Sequence, residues 1–299
     1  VGVAKQNLRD KLASAARIVG AETIMVLLTA EGSTKGDRYA IARRKPYQGQ
    51  RTGSNRPANW QALRDYMLSG GFPYDVECTR DAEADDLFAY WCAFDLEYGK
   101  SPVIYTQDKD MRMVPGVHLD WVSHMTTTVT VNPKHLAVYG RKVLEPDNFQ
   151  SRGLQYGWRW FWLQMLQGDT ADNIPGLPFA TIKYGGSAVD PAYNLNKVGE
   201  AAAAKILAGV DDNVKLGQLV REAYTSYYKE RWLVEMLEQA CLLFIRPYPQ
   251  AWDCCAMEGY PMAQFTHCIE WPAAHAEIRQ RIKEAYAINS ANASQDQAG

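Results

Sequence analysis

The feature that most limits how this chain can fold is the alternation of element types over its first 121 residues. Val3 to Val19 places Leu8, Leu12, Ala15, Ala16 and Val19 on one helical stripe. Thr23–Leu28 is a short apolar run of strand length. Trp60–Leu68 has helical spacing, Tyr74–Cys78 reads as a strand, and Asp81 can cap a helix reaching about Tyr98. Val103–Thr106 and Val117–Trp121 read as two more strands. Helices alternating with buried strands predict an α/β fold, a parallel sheet with helices on both faces.

After about Asn148 the pattern becomes mostly helical. Tyr156–Leu166 is an aromatic helix, Gly176–Asn196 a Gly-, Pro- and Tyr-rich loop, and Gly199–Ala208 an alanine-rich helix. Val214–Phe244 makes one or two helices more, and the polar stretch Asn289–Gly299 is expected to be a disordered tail. The expected organisation is a catalytic unit over 1–165, a helical unit over 166–288 and the tail over 289–299. Apolar runs stay near strand length, so no membrane span is expected. Six cysteines without a C-x-x-C pair and no visible signal peptide suggest a reduced, cytoplasmic chain. Five scattered histidines argue against zinc.

Net charge is −2, which hides a segregation. Lys35 to Arg56 holds seven basic residues (Lys35, Arg38, Arg43, Arg44, Lys45, Arg51, Arg56) against the single acid Asp37. The acids gather in three groups: Glu83-Ala84-Asp85-Asp86, Asp108-Lys109-Asp110 after a strand, and Gly168-Asp169-Thr170-Ala171-Asp172-Asn173. Each alone has a structural reading, as a helix-start pair, a turn or a cap. Ligands of open α/β sheets bind beyond the carboxyl ends of the strands, where Asp108 and Asp110 fall. If all three groups converge there, seven carboxylates repel one another unless cations sit among them. Oxygen-only donors suit hard divalent cations, magnesium above all when phosphate is the substrate.

These three groups, with Thr106 to Met111 around the second and Ile174-Pro175-Gly176 after the third, resemble successive motifs of the 5′-nuclease (flap endonuclease) superfamily. Short phage-encoded 5′–3′ exonucleases and the 5′-nuclease domain of bacterial DNA polymerase I are similar in kind. The resemblance spans about residues 20 to 210 and implies a PIN-like parallel sheet followed by a helix–hairpin–helix domain. It implies two Mg2+ ions, for which Mn2+ can substitute. Glu83, Asp85 and Asp86 would serve one ion, and Asp108, Asp110, Asp169 and Asp172 the other. The implied activity is metal-dependent hydrolysis of phosphodiester bonds at 5′ ends, nicks or flaps of DNA, or of RNA in a hybrid, in DNA replication. A monomer in a bacterial or phage-infected cell is the expected setting.

The basic stretch resembles the family's helical arch, with Arg38, Arg43, Arg44, Lys45, Tyr47 and Arg51 as nucleic-acid contacts. Phosphate contacts of this kind give affinity without sequence preference. Gly176 opens the resemblance to the hairpin module, and Lys197 and Gly199 resume it after an insertion. Trp158, Trp160, Phe161 and Trp162 could stack on bases, but a helix just before Gly168 favours packing, and Tyr47 and Trp60 are better placed for stacking.

Three departures bear on activity. The family carries an Asp on a strand ahead of its first helix, and this sequence starts at that helix. Glu31 is the nearest match to a second family Asp, and Gln48 stands where a lysine is expected. A degenerate member that binds branched DNA without cutting therefore stays open. A Toprim-type magnesium site of a primase or topoisomerase would share the Glu and D-x-D but not the third motif. A haloacid-dehalogenase-type phosphatase would need a nucleophilic Asp on the first strand.

Overall fold

A computed structural model of the protein describes residues 1–51, 56–138, 141–177 and 198–296. Helix α1 (Gly2–Val19) ends on Gly20, whose left-handed φ of 67° closes the helix with an N–H bond to the Ala16 carbonyl. Strand β1 (Met25–Thr29) leads to a short helix α2 (Arg38–Ile41), then α3 (Trp60–Leu68) and strand β2 (Asp75–Thr79). β2 pairs with β1 in parallel, Met25 opposite Asp75 through Thr29 opposite Thr79. Helix α4 (Ala84–Glu97) is capped by Glu83 rather than by Asp81, because Glu83 and Asp86 form a reciprocal capping box.

Strand β3 (Val103–Ile104) runs parallel to β4 (Gly116–Leu119), which pairs antiparallel with β5 (Thr126–Val129). The expected single parallel sheet is thus two pieces among the described residues, β1–β2 and β3–β4–β5. Between β1 and β3 lies an apolar groove of about 320 Å³, lined by Val26, Leu27, Val103, Leu119 and, from α1, Leu8 and Leu12.

Two antiparallel hairpins that the sequence reading did not assign follow: β6 (Val131–Val138) with β7 (Arg141–Pro146), and β8 (Phe149–Ser151) with β9 (Leu154–Tyr156). Helix α5 (Trp158–Gln167) is buried on all sides, from Trp158 to Leu166. Trp160, Phe161 and Trp162 are at most 1% exposed, so these aromatics are packing residues and not stacking platforms. A two-residue ladder, β10 (Gly168–Asp169) with β11 (Ile174–Pro175), follows α5. Then come α6 (Glu200–Ile206), α7 (Asn213–Tyr228), α8 (Trp232–Leu243) and α9 (Trp271–Asp296). One apolar cluster runs from Ile41, Ile104 and Met111 through α5 to α8, so the parts expected on either side of residue 165 share a core. The helix α9 continues through residues 289–296, where a disordered tail was expected; alanines favour helix, and within it the Ser290 hydroxyl donates to the Tyr286 carbonyl one turn back. Among the described residues no helix is long and apolar enough to cross a membrane.

Candidate metal centre

The acidic groups reach one region by different routes. Asp108 caps a 3-10 helix (Lys109–Met113) that follows β3, its carboxylate accepting from the Asp110 N–H at 2.9 Å. That turn points Asp110 inward, where Gln164 of α5 donates to it at 2.6 Å. Asp169 sits in the β10–β11 ladder and accepts from the Ala171 N–H at 2.8 Å, and Asn173 turns the loop with a left-handed φ of 59°. Carboxylate oxygens of Asp110, Asp169 and Asp172 come within 4.8 Å of one another.

Tight backbone crossing fixes this loop. A Cβ on Gly168 would lie 2.2 Å from the Gly176 nitrogen, and one on Gly176 would lie 2.2 Å from the Gln167 carbonyl oxygen. Gly176 was expected to approach phosphate. Its missing side chain instead makes room for the protein's own backbone. Leu177 N–H bonds to the Leu166 carbonyl of α5 at 2.8 Å, and Val198 N–H bonds to the Leu177 carbonyl at 2.8 Å, so Val198 is tied back to Leu177. Gly199 is the N-cap of α6 with open space around it. Lys197, with the rest of 178–197, lies outside the described residues.

Charge balance among the acids is uneven. Lys109 Nζ lies between Asp169 at 2.5 Å and Asp110 at 3.0 Å, an ammonium in the place where a hard cation would sit. Burial, with the charges of Asp108 and Asp169, raises the Asp110 carboxyl to about 7 although Lys109 opposes the shift. Burial also acts on Asp169, but the Lys109 hydrogen bond and charge outweigh it and hold that group below the usual range. Burial and the Glu83 charge raise Asp172. Asp85 is pushed well above its ordinary value by burial and then by Asp108, Glu83, Asp86 and Asp110, and no hydrogen bond or ion pair balances it among the described residues. An all-oxygen donor set with a stand-in ammonium and an unbalanced carboxylate fits a divalent cation.

The first acidic group divides. Asp86 is fully buried and takes two bonds from Arg38, at 2.7 and 2.8 Å, and the Arg246 N–H at 3.0 Å. Burial raises its carboxyl, but Arg38 more than compensates and the group is held low. Asp86 is therefore a buried ion-pair partner and not a metal ligand, and Arg38, 1% exposed, is not a phosphate contact. Glu83 accepts from Lys35 at 2.8 Å and from the Tyr47 hydroxyl at 2.7 Å. Only Asp85 of this group keeps its carboxylate uncommitted.

The segment Tyr47–Arg51 of the basic stretch lies against the third acidic loop instead of standing free. Gln48 N–H bonds the Asp172 carbonyl at 2.9 Å, the Gln48 side chain reaches Asp172 at 2.9 Å, and Arg51 reaches it at 2.6 Å. Tyr47, 3% exposed, bridges Glu83 and Asp172, so it is unavailable for base stacking. Attraction of opposite charges explains the arrangement. Arg44 stacks on Tyr228 at 4.8 Å and pairs with Glu235 at 3.8 Å. Arg43 and Lys45 stay exposed, Arg43 with a long 3.5 Å contact to Glu277. Glu31 pairs with Arg56 on the surface at 2.8 Å and does not complete the acidic site. Lys109, Gln164 and Gln48 were not singled out as site partners from the sequence; the only signal was the lysine inside the D-x-D.

These features define an α/β fold whose strand and loop ends carry a carboxylate cluster that could hold a metal ion. The fold is that of the bacteriophage T5 5′-nuclease. A structure of the T5 D15 protein co-crystallized with metal ions matches with TM-score 0.52 at 12% identity, over 93% of this chain and 92% of that one. A structure of T5 5′-exonuclease with divalent zinc ions bound matches with TM-score 0.52 at 13% identity, over 93% and 91%. No protein-family model matches the chain, and no curated protein matches it by sequence.

Proposed function

We propose that this chain is a divalent-metal-dependent nuclease that hydrolyses phosphodiester bonds near 5′ ends of DNA, as an exonuclease or flap endonuclease acting in replication. The observation that carries the reading is the Asp110–Asp169–Asp172 cluster, within 4.8 Å and with an ammonium between Asp110 and Asp169, on a fold shared with T5 5′-exonuclease. Asp110, Asp169 and Asp172 would hold one ion, with Asp85 and Asp108 facing a second; Mg2+ is the natural choice and Mn2+ a substitute. A cation bound there supplies Lewis acidity to the phosphoryl oxygen and the attacking water. Gln164 fixes the Asp110 carboxylate, and Tyr47 couples Glu83 to Asp172. Arg43 and Lys45 would track the strand backbone, with RNA of a hybrid tolerated. Gly199 at the N-terminus of α6, with Lys197 preceding it in the sequence, would contribute to a helix–hairpin–helix grip on duplex DNA.

The test is release of short 5′ products from 3′-labelled flapped and nicked duplexes, with and without Mg2+. Metal-dependent cleavage that disappears in Asp169→Asn supports the reading; cleavage untouched by that substitution sinks it. A second reading, branched-DNA binding without cutting, is favoured by the commitment of Asp86 to Arg38 and of Glu83 to Lys35. Tight binding of flapped DNA with no cleavage at any Mg2+ concentration would select it.

A further inference from the structure

A second binding feature adjoins Asp108 and Lys109. A cleft of about 510 Å³ is lined by these two residues together with Arg112, Asp120 and Arg152. Arg152 is exposed on the β8–β9 hairpin and has no hydrogen bond or ion pair among the described residues. Its charge acts on Asp120, yet the Asp120 carboxylate is engaged by its own turn: it accepts from Val122 N–H at 3.0 Å, Ser123 N–H at 2.6 Å and the Ser123 hydroxyl at 2.8 Å. The Arg112 guanidinium stacks on Trp160 at 4.8 Å and likewise has no carboxylate partner among the described residues. Stacking holds the plane of a guanidinium while leaving its edge N–H donors free.

Two guanidinium groups lining one cleft, neither hydrogen-bonded nor ion-paired to a carboxylate among the described residues, form a receptor for oxyanions, and planar N–H forks match phosphate oxygens. The cleft is lined by Asp108 and by Lys109, whose ammonium contacts Asp110 and Asp169, so a strand whose phosphate lies at the cluster would have adjoining phosphates near it. We propose that Arg112 and Arg152 clamp backbone phosphates of the nucleic-acid strand next to the one positioned for cleavage. This rests on the nuclease reading of the adjoining site. The contacts carry no base information, so the clamp sets register and affinity and not sequence preference.

The experiment is fluorescence anisotropy of a 3′-dye-labelled flapped DNA duplex with the full chain in EDTA, across 50–200 mM KCl. The variants are Arg152→Ala, Arg112→Gln and Arg152→Lys, each checked for an unchanged melting temperature. Each neutral variant is expected to weaken binding on the order of tenfold at the lowest salt and to lower the slope of log K against log salt by about 1, equally for different sequences. Arg152→Lys should keep the slope. Arg152 is a surface hairpin residue, so its variants give a reading even if Arg112→Gln fails to fold. Wild-type binding with unchanged slopes in the folded neutral variants overturns the clamp alone. Failure of the wild-type chain to bind the duplex overturns the clamp and the nuclease reading with it.

Discussion

Arg38 and Asp86 form a bidentate ion pair, 2.7 and 2.8 Å, with 1% and 0% of their side chains exposed. Arg38 also donates to the carbonyls of Leu242 and Phe244, at 3.2 and 3.0 Å, so the pair ties the start of α2, the first turn of α4 and the end of α8 together. It turns a residue expected to hold metal, Asp86, and one expected to contact nucleic acid, Arg38, into the brace behind the site.

Breaking this brace on one side leaves a buried charge without its partner. Asp86→Ala or Arg38→Met is expected to cost about 3–5 kcal/mol. The double substitution Arg38→Met with Asp86→Leu should cost less than the sum of the two singles, because no lone charge is left. Urea denaturation read by tryptophan fluorescence checks this; additive losses would contradict it.

Lys109 competes with any cation for Asp110 and Asp169. Lys109→Met is expected to bind Mg2+ or Mn2+ on the order of tenfold more tightly, while the metal-free protein melts lower because the carboxylates lose their counter-ion. Titration calorimetry gives the first quantity and a thermal melt in EDTA the second. Equal or weaker metal binding would show that the ammonium does not compete for the site.

The pH dependence follows from Asp110, whose carboxyl is raised from 3.8 to about 7 by burial and neighbouring acids. Between those values the folded state holds a proton that the unfolded chain has released. The Asp110 contribution to metal-free stability is therefore full below about pH 4 and lost as pH rises through 7. Metal binding runs the other way, since the ligand must be ionised: affinity should climb by up to about tenfold per unit from pH 5 to 7 and level off above. Calorimetric titrations at several pH values test this, and a flat profile would be inconsistent with it.

Gln164 lies in the core at 0% exposure and donates to Asp110 at 2.6 Å. Partners that orient a ligand without touching the ion matter to its affinity. Gln164→Leu is expected to reduce metal affinity about 10–100-fold with the fold retained, as judged by circular dichroism alongside calorimetry.

Gly168→Ala and Gly176→Ala place a methyl group 2.2 Å from backbone atoms of the crossing strand. Each should destabilise by about 3 kcal/mol or more, since backbone cannot yield as a side-chain tip can. Gly199→Ala, with open space around the site, serves as the mild control. Similar melting temperatures for all three would refute the crossing as a constraint.

The sequence by itself determined the local elements and the inventory of acids. Helical stripes, short apolar runs and the Gly-Asp-x-x-Asp-Asn loop are signals within one turn or one strand, so α1, β1, α4 and α5 were legible in it, whereas the joining of Asp110 to Asp169 and Asp172 was implied only by the family resemblance. The third motif was legible because glycines and acids at fixed spacing describe one tight loop. Only the tertiary structure decided which charges are spent inside the protein. Arg38 and Asp86 are 48 residues apart, Lys109 and Asp169 are 60 apart, and Tyr47 and Asp172 are 125 apart. A carboxylate that binds a cation and one that binds an arginine look alike along the chain. What separates them is burial and the partner that folding brings within about 3 Å.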